Sequence, residues 1–311
     1  MRTRLLGGRS VSVIVLGTAL FGEPCTEAQS FEVMDAYVRI GGNFIDNARL
    51  YARGESERIV GRWMAARGNR ESIFLCTKGA HPPVEDMRHS RLSREEVRGD
   101  MARSLDALGT DHVDLYFLHR DDESRPVGDI METLQSLLDD GFTRMTGVSN
   151  WSPKRIREAN EYARTHGLAP LSANQPRFSL AEQITVEDPT LRAMDRETWQ
   201  MHRDENLPCL CFTSMAKGFF TKLDSLGPDG LSEKAKTRYW SEENLAIFDR
   251  LKVLSHETGY SVNALSLAYL TCQPFPTFPI VGTSSIEHVA ALQEAGDAVL
   301  TDEQRDTLRT Y

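Results

Sequence analysis

Short apolar segments alternate with longer segments of helical periodicity along the whole of this chain. The short segments are apolar at consecutive positions, as strands buried on both faces are. Eight such strands are predicted, at residues 14–17, 44–46, 73–78, 113–119, 145–149, 172–175, 208–212 and 278–281. A strand followed by a helix, repeated in this way, predicts parallel strands that close into a (β/α)8 TIM barrel. Barrels reach this length as one domain, so we expect residues 1–311 to form a single domain.

A doubly wound α/β sheet is the alternative fold for the same pattern. Such a sheet, when it binds a dinucleotide, carries a Gly-x-Gly-x-x-Gly turn after a strand. That triplet does not occur in this sequence. The barrel is therefore the favoured prediction.

The first residues look like a short signal peptide, because Arg2 and Arg4 precede an apolar run over residues 11–21. Gly7 and Gly8 interrupt the segment, and the run is too short to span a bilayer. We expect instead a β-hairpin that leads into the first buried strand, in a cytoplasmic protein with no membrane partner.

Several helix boundaries can be predicted from capping residues. Thr26-x-x-Gln29 and Ser93-x-x-Glu96 are capping boxes, and Ser152-Pro153 and Asp188-Pro189 place a capping side chain before proline. Two extra helices are expected near the C-terminus, over Val262–Thr271 and residues 301–309. Residues 213–240 are rich in glycine, and we expect a mobile flap there.

Composition excludes some classes of partner. The 36 Lys and Arg residues are outnumbered by 45 Asp and Glu residues, giving a net charge of −9, which argues against binding to nucleic acid. The five cysteines have no zinc-ligand spacing, and we expect no metal. Cys209 and Cys211 lie on one face of a predicted strand, where we expect buried thiols in a reducing compartment.

Polar residues stand at the carboxyl ends of the predicted strands, where barrel enzymes place their reactive groups. Asp46, Lys78 and His119 end three consecutive strands, and Tyr51 follows Asp46 by five residues. Ser149, Asn150 and Gln175 end or follow the next two strands. Charged groups at apolar strand ends are costly to bury unless they are paired.

This set suits the reduction of a carbonyl group. A hydride that reaches the carbonyl carbon leaves negative charge on oxygen, and the oxygen then needs a proton. A tyrosine hydroxyl has a pKa of about 10, which a neighbouring lysine cation lowers by favouring phenolate. A carboxylate keeps the lysine charged, and an imidazole can orient the carbonyl by a hydrogen bond.

The chain resembles the aldo-keto reductase family, in bacterial-type members. Residues 44–57 (FIDNARLYARGESE) resemble the family signature that contains the tetrad Asp and Tyr. Thr77-Lys78 resembles the lysine motif, and residues 114–119 (DLYFLH) resemble the histidine motif. Residues 147–151 (GVSNW) and Asn174-Gln175 resemble segments of the nicotinamide site. The likeness covers nearly the whole chain, and the order of its motifs is that of the family.

The resemblance implies a role for each matching residue. Tyr51 would donate the proton, with support from Lys78 and Asp46, and His119 would orient the carbonyl. The carboxamide of nicotinamide would be held by Ser149, Asn150 and Gln175. The remaining residues that the resemblance assigns to the cofactor site, together with Asp46, are Gly17, Thr18, Phe212, Thr213, Met215, Lys217, Gly218, Gly282, Thr283, Ser284 and His288.

Two of these segments have more specific implications. Phe212 stands where an aromatic ring, often tyrosine, stacks on nicotinamide, and Lys217 stands where a basic residue meets the pyrophosphate. The adenosine loop departs from the family, because many members have Lys or Arg where this chain has Ser284 and His288. Hydroxyl groups bind phosphate without supplying charge. NADP(H) is the favoured cofactor on the resemblance, and NAD(H) is the alternative.

Three functions are compatible with such a barrel. The favoured one is an oxidoreductase that reduces a small or sugar-derived aldehyde or ketone with NAD(P)H. The second is a cofactor-bound regulatory or channel-associated subunit with little turnover. The third is a metal-dependent hydrolase, which needs clustered His and Asp ligands. The presence of all four tetrad residues favours the reductase, and the sequence leaves the oligomeric state open.

Residues near the tetrad are weaker candidates for contact with substrate. Met87, His89 and Arg91, in the loop after Lys78, are candidates for the substrate rim. Trp151 is expected to pack in the core, with a contact to substrate as its alternative. Residues 121–123 (DDE) are expected to form a solvated loop that could line the pocket.

Overall fold

Eight parallel strands form a closed barrel in the computed structural model, which describes residues 1–186 and 188–311. A two-stranded hairpin precedes them, made of β1 (Thr3–Leu6) and β2 (Arg9–Ser12). The barrel strands are β3 (Val15–Gly17), β4 (Phe44–Asp46), β5 (Phe74–Gly79), β6 (Leu115–Leu118), β7 (Thr146–Ser149), β8 (Ala173–Gln175), β9 (Cys209–Cys211) and β10 (Thr277–Gly282). Pairing of β10 with β3 closes the barrel, and Gly282 lies opposite Gly17 at this seam. The predicted barrel is confirmed.

Helices surround the barrel. They are α1 (Glu27–Arg39), α2 (Glu55–Arg67), α3 (Arg94–Leu108), α4 (Val127–Asp139), α5 (Pro153–His166), α6 (Arg196–Glu205), α7 (Phe219–Leu226), α8 (Glu233–Tyr239), α9 (Glu242–Thr258), α10 (Val262–Thr271), α11 (Ile286–Asp297) and α12 (Asp302–Leu308). The two predicted C-terminal helices are α10 and α12, the latter capped by Thr301. Within the described part of the chain, none of these helices combines the length and the apolar character needed to cross a bilayer.

The hairpin covers the amino-terminal end of the barrel. Gly7 and Gly8 turn the chain with φ angles of 55° and 79°, a left-handed conformation that glycine adopts without strain. Leu6 and Val11 are buried in one cluster with aromatic side chains from the starts of the strands, Phe44, Phe74 and Phe278. The predicted hairpin is therefore confirmed, and it seals the end opposite the strand ends that carry polar residues.

Most predicted helix starts are confirmed. Thr26 and Gln29 form a complete capping box at α1, and Ser152 caps α5 with Pro153 as its first residue. Ser93 caps α3 by accepting from the Glu96 amide, and the Glu96 carboxylate accepts from the Ser93 hydroxyl at 2.7 Å.

The helix predicted to start at Asp188-Pro189 is wrong. Asp188 Oδ1 accepts from the Thr190 amide at 2.9 Å, which closes a turn, and α6 begins only after Asp195. An Asp-Pro pair initiates turns as readily as helices, because the short carboxylate bonds the backbone two residues on.

The flap predicted at residues 213–240 is also wrong, because this segment contains α7 and α8. Phe219, Phe220 and Leu223 of α7 are buried. Gly218 and Gly227 flank α7 with φ angles of 78° and 68°. The glycines thus mark the two ends of α7, where they adopt positive φ angles without strain, and do not indicate an unstructured loop.

The prediction that Cys209 and Cys211 are buried thiols is confirmed. All five are free thiols, and four of them are buried. Cys209 and Cys211 lie on the same face of β9, with 3.9 Å between their sulfur atoms.

Candidate active site

Four polar side chains converge at the carboxyl ends of neighbouring barrel strands. Asp46 ends β4, Lys78 lies near the end of β5, and His119 directly follows β6. Tyr51 begins a short 3-10 turn, Tyr51–Gly54, beyond β4. Lys78 and Asp46 are 1% and 2% exposed, and Tyr51 is half-buried. The structure therefore brings together the four residues that the sequence indicates as catalytic candidates.

Lys78 joins Asp46 to Tyr51. Its Nζ lies 2.7 Å from Asp46 Oδ2, 2.7 Å from the Asn47 carbonyl oxygen and 3.2 Å from Tyr51 Oη. An ammonium group has three donors, and these three partners can accept all of them. Because Lys78 donates to Tyr51 Oη, the phenol proton is left available to another acceptor.

The second oxygen of Asp46 is also bound. Asp46 Oδ1 accepts from Gln175 Nε2 at 3.0 Å and from Cys76 Sγ at 3.3 Å. The Thr18 amide and hydroxyl both donate to the Asp46 carbonyl oxygen at 3.0 Å. The carboxylate is consequently fixed by residues of β5 and β8, and the Asp46 backbone is fixed by Thr18.

Burial and charge act in opposite directions on the lysine and the tyrosine. Burial lowers the pKa of Lys78, but the charge of Asp46 and its hydrogen bond raise it more, so the net pKa lies above its ordinary value. Burial raises the pKa of Tyr51, Lys78 lowers it, and Asp46 raises it again. Lys78 lowers the pKa of Tyr51, as expected from the sequence, but burial raises it more. The net pKa of Tyr51 lies above its ordinary value, so the expectation of a lowered pKa was wrong. Tyr51 is thus a protonated phenol beside a cation.

His119 is a neutral imidazole with an unused ring nitrogen. Burial lowers the pKa of His119 well below its ordinary value, and the nearby Lys78 cation lowers it further. Its Nδ1 is buried without a hydrogen-bond partner among the described residues. The His119 carbonyl oxygen accepts from Asn150 Nδ2 at 3.2 Å and from Arg120 Nη1 at 2.9 Å. The ring of His81 packs edge-on against it, with 4.8 Å between centroids.

A partly buried ion pair holds the loop that carries Tyr51. Arg49 Nη1 lies 3.0 Å from Glu57 Oε2, and Glu57 Oε1 accepts from Thr77 Oγ1 at 2.7 Å. The Arg49 guanidinium passes so close to Gly54 that a Cβ there would overlap it. Glycine is therefore required at this position, both for space and for its φ of 87°.

The three residues predicted to hold a carboxamide are bonded to one another. Ser149 Oγ donates to the Gln175 carbonyl oxygen at 2.7 Å and accepts from Asn150 Nδ2 at 2.9 Å. Asn150 adopts a φ of 65°, and its Oδ1 accepts from the Arg192 amide at 3.1 Å. Gln175 links this group to the tetrad through Asp46.

The other predicted cofactor residues form two segments near the barrel seam. In the segment from Phe212 to Gly218, Ser214 Oγ donates to the Ile280 carbonyl oxygen at 2.6 Å, which fastens the segment to β10. Thr213 and Lys217 have left-handed φ angles of 55° and 58°, and Lys217 is exposed while Met215 is partly buried.

The second segment follows β10. Thr283 Oγ1 lies 3.3 Å from His288 Nδ1, and the hydroxyl of Ser285 caps α11. Ser284 and His288 are exposed, so their side chains are accessible at the start of this helix. Helix amino termini favour anions, because unpaired amide groups and the helix dipole point there.

The sequence pattern of the aldo/keto reductase family matches residues 13–310. The chain belongs to the aldo/keto reductase family. Norsolorinic acid reductase of Aspergillus flavus is 28% identical over 310 residues, covering 96% of this chain and 76% of that protein. Norsolorinic acid reductase B of Dothistroma septosporum is 31% identical over 308 residues, covering 92% and 75%. An aldo-keto reductase of Schizosaccharomyces pombe whose name specifies NADP(+) is 28% identical over 299 residues, covering 92% and 84%.

Membership of the aldo/keto reductase family makes the chain an oxidoreductase of a family that acts on carbonyl groups with nicotinamide cofactors. The three relatives are fungal proteins, so the narrower expectation of a bacterial-type member finds no support among them.

The residues of this aldo/keto reductase fit a nicotinamide cofactor. Ser149, Asn150 and Gln175 together offer donors and acceptors, and a primary carboxamide needs both. A Cβ built on Gly282 would meet only the Gly17 carbonyl oxygen, at 3.6 Å, so the seam leaves open space beside Gly282. The exposed start of α11 adds anion-binding amides next to that space.

A cavity of about 170 Å³ is lined by Arg120 and Asn150, which both donate to the His119 carbonyl oxygen. It is lined in part by Met87, which agrees with its predicted place on the rim, and by Arg120, Asp121 and Arg192. The two arginines were not among the residues predicted from the sequence. Arg120 could have been found, because it directly follows His119, whereas Arg192 lies in a loop without a local signal.

The other rim candidates have structural contacts. Arg91 donates to Asp100 Oδ1 at 3.0 Å and to the His81 carbonyl oxygen at 3.3 Å, and His89 faces Glu96. Trp151 is 1% exposed, and its Nε1 donates to the Arg120 carbonyl oxygen at 3.3 Å. The expectation that Trp151 packs in the core is confirmed.

Proposed function

We propose that this protein reduces an aldehyde or ketone to the alcohol, with NADPH as hydride donor and Tyr51 as proton donor, in one catalytic domain over residues 1–311. The observation that supports this is the position of Lys78 Nζ, 2.7 Å from Asp46 Oδ2 and 3.2 Å from Tyr51 Oη. This arrangement places a fixed cation against the phenol whose proton is to be transferred.

The proton step follows from these contacts. The cofactor, when bound, supplies hydride to the carbonyl carbon, and the carbonyl oxygen gains the electron pair. Tyr51 Oη gives its proton to that oxygen and becomes phenolate. Lys78 stabilises the phenolate by charge, and Asp46 keeps Lys78 protonated and in place. One hydride and one proton are added, so the product is an alcohol and the charge balances.

His119 positions the substrate in this proposal. A neutral imidazole carries one N–H, which donates a hydrogen bond to the carbonyl oxygen. The depressed pKa of His119 keeps it neutral, so it directs the oxygen toward Tyr51 without competing as an acid. The residues Ser149, Asn150 and Gln175 hold the carboxamide of the cofactor.

NADP(H) is the proposed cofactor, and NAD(H) is the alternative. The NADP(+) in the name of the Schizosaccharomyces pombe relative supports this choice. Ser284, His288 and the start of α11 are accessible to a phosphate, and Lys217 is exposed on the neighbouring segment. We assign Phe212 to stacking on the nicotinamide ring.

The proposed substrate is a small, sugar-derived or aromatic carbonyl compound. An aryl-alcohol dehydrogenase of Pestalotiopsis microspora, 29% identical over 303 residues, supports the aromatic class by its name. The norsolorinic acid reductases support reduction as the direction of the reaction.

The test compares wild type with Tyr51→Phe for NADPH oxidation in the presence of benzaldehyde. Tyr51→Phe should bind NADPH as wild type does and lose at least about a hundredfold in kcat, since general acids contribute on that scale. Tyr260→Phe is the matched control, because Tyr260 is partly buried in the connection between α9 and α10 and should keep wild-type activity. Undiminished turnover in Tyr51→Phe would refute the proton-donor role. Cofactor binding without turnover of any aldehyde by wild type would favour a regulatory subunit.

A further inference from the structure

The cavity beside His119 is walled by both polar and apolar groups. Pro82, Met87 and Pro189 supply apolar surface, and Arg120, Asp121 and Arg192 supply charge. The cavity lies next to His119, because Arg120 and Asn150, which both line it, donate to the His119 carbonyl oxygen. Pro82, which also lines it, follows His81, whose ring packs against the His119 imidazole.

Asp121 has an oxygen with no partner. Its side chain is 10% exposed, and its Oδ1 accepts from the Asp122 amide at 2.8 Å and faces Arg155 Nε at 3.4 Å. Its Oδ2 has no hydrogen-bond partner among the described residues. Burial raises the pKa of Asp121 to about 6, against the opposing charge of Arg155. A buried carboxyl oxygen without a donor is costly, so a donor from a ligand would stabilise it.

The two arginines keep donors available toward the same space. Arg120 is held by His119 and by Thr190 Oγ1 at 3.1 Å, and its Nη2 lies 3.6 Å from Asp188 Oδ2, beyond a normal hydrogen bond. Arg192 is half-exposed, with Nη2 3.5 Å from Glu123 Oε1. A guanidinium group has five N–H donors. Because the distances from Arg120 to Asp188 and from Arg192 to Glu123 are long for hydrogen bonds, several of these donors remain available to a ligand.

The chemistry of these walls selects the kind of group that fits. A hydrocarbon would leave Asp121 and the arginines desolvated without partners. An anion would satisfy the arginines but would be repelled by Asp121 and Glu123. A hydroxyl group donates one hydrogen bond and can also accept hydrogen bonds. It can therefore donate to Asp121 and accept from an arginine. A cavity of this size holds a ring or a short chain, since about 150 Å³ accommodates benzene.

We propose that Asp121, Arg120 and Arg192 form a subsite that binds a hydroxyl group of the carbonyl substrate, remote from the carbonyl itself. This inference rests on the proposed carbonyl reduction, and it makes Asp121 a residue that determines substrate specificity. The hydroxyl can belong to an aromatic ring or to an aliphatic chain, and the experiment distinguishes the two sources.

The experiment measures kcat/KM for two pairs of aldehydes in wild type and variants. The pairs are 3-hydroxybenzaldehyde with benzaldehyde, and glyceraldehyde with propanal. The effect of the hydroxyl group on the intrinsic reactivity of an aldehyde is the same for every variant. A variant that changes the ratio of the two kcat/KM values within a pair therefore changes a contact between the hydroxyl group and the protein. The variants are Asp121→Asn and Arg192→Gln. Asp111→Asn is the control, since Asp111 is 94% exposed in the turn before β6, at the opposite end of the barrel.

Asp121→Asn should lower the preference for the hydroxylated member by about tenfold in one pair, the loss expected for a hydrogen bond to a charged group. Arg192→Gln should lower it severalfold, and Asp111→Asn should leave it unchanged. The pair that responds identifies the source of the hydroxyl. Unchanged ratios in both pairs for both variants would overturn the subsite and leave the proposed function standing.

A binding measurement separates the subsite from the reaction. Calorimetry of NADPH-loaded protein compares 3-hydroxybenzyl alcohol with benzyl alcohol, and glycerol with 1-propanol, without turnover, because an alcohol cannot react with the reduced cofactor. A preference for the hydroxylated alcohol that Asp121→Asn removes would support the subsite even if no aldehyde were reduced, a result that would refute only the proposed function. Equal binding within both pairs by wild type would overturn the subsite.

Discussion

Gln175 donates a hydrogen bond to Asp46 from the opposite side of the barrel, with 3.0 Å between Gln175 Nε2 and Asp46 Oδ1. The two residues end β8 and β4, which lie four strands apart in a ring of eight. One Asp46 oxygen thus faces the proposed carboxamide site, and the other binds Lys78. The proposed cofactor site and the proposed proton donor therefore share one carboxylate.

Removing the charge of Asp46 should make activity sensitive to alkaline pH. In wild type, Asp46 holds the pKa of Lys78 above its ordinary value against the effect of burial. In Asp46→Asn the largest effect that opposes burial is lost, so the pKa of Lys78 falls and the lysine loses its proton more readily as pH rises. We expect kcat to fall by about a hundredfold and to decline further between pH 7 and 9. A pH–kcat profile parallel to that of wild type would contradict this role.

Protonation of His119 should not limit activity near neutral pH. Burial and Lys78 lower the pKa of His119 well below 6.5, so it stays neutral as pH falls from 8 to 6. With benzaldehyde as substrate, kcat/KM should show no inflection near pH 6.5 that depends on this residue. An inflection there that His119→Gln removes would show that His119 titrates normally.

A positive charge at Ser284 should favour NADPH over NADH. Ser284 is exposed beside the start of α11, and an arginine there can bind the 2′-phosphate through charged hydrogen bonds. Ser284→Arg should lower the Kd of NADPH by about tenfold and leave that of NADH unchanged. The control is Val299→Arg, which adds the same charge at an exposed position beyond α11. Equal changes for both cofactors would show that this loop does not contact the 2′-phosphate.

His202 should make the fold less stable in acid. Burial lowers the pKa of His202 to about 4, and both ring nitrogens are bonded, Nδ1 to the Leu207 carbonyl oxygen and Nε2 to Asn174 Nδ2. The unfolded chain takes up a proton near pH 6.5 that the folded chain excludes, so stability is lost as pH falls from 6.5 toward 4.

This residue should contribute about 2 kcal/mol to the decrease in the free energy of unfolding between pH 7 and 5. Denaturant titrations at both pH values measure the decrease in wild type and in His202→Gln, which cannot titrate. The decrease should be smaller in His202→Gln by about that amount. Equal decreases in the two proteins would refute this assignment.

The fold could be predicted closely from sequence because strand burial and helix caps are local signals. Predicted strand 44–46 coincides with β4, and Val262–Thr271 coincides with α10. The tetrad could be placed together, since the carboxyl ends of barrel strands meet at one face. The prediction was wrong over residues 213–240, because the glycines were interpreted as loop residues although they stand at helix ends. The helical spacing of the apolar residues Phe219, Phe220 and Leu223 was given too little weight.

Other features depended on contacts between distant segments. The net pKa of Tyr51 could not be predicted, because it depends on how far burial outweighs the charge of Lys78. The position of Arg192 beside Asn150 depends on a loop 42 residues away, and Asp121 was expected to be solvated although its side chain is 10% exposed. Such contacts are set by tertiary packing and leave no periodic pattern.

The seam between β3 and β10 has a consequence for synthesis of the chain. β3 lies near the start of the sequence and β10 near its end, and each strand has the other as one of its two neighbours in the barrel. A nascent chain leaving the ribosome therefore carries an unpaired strand edge at β3 until nearly all of the sequence has emerged. Such edges can pair with other chains. The interval between synthesis of the first and last barrel strands is thus a period in which this edge of the chain can pair with other chains.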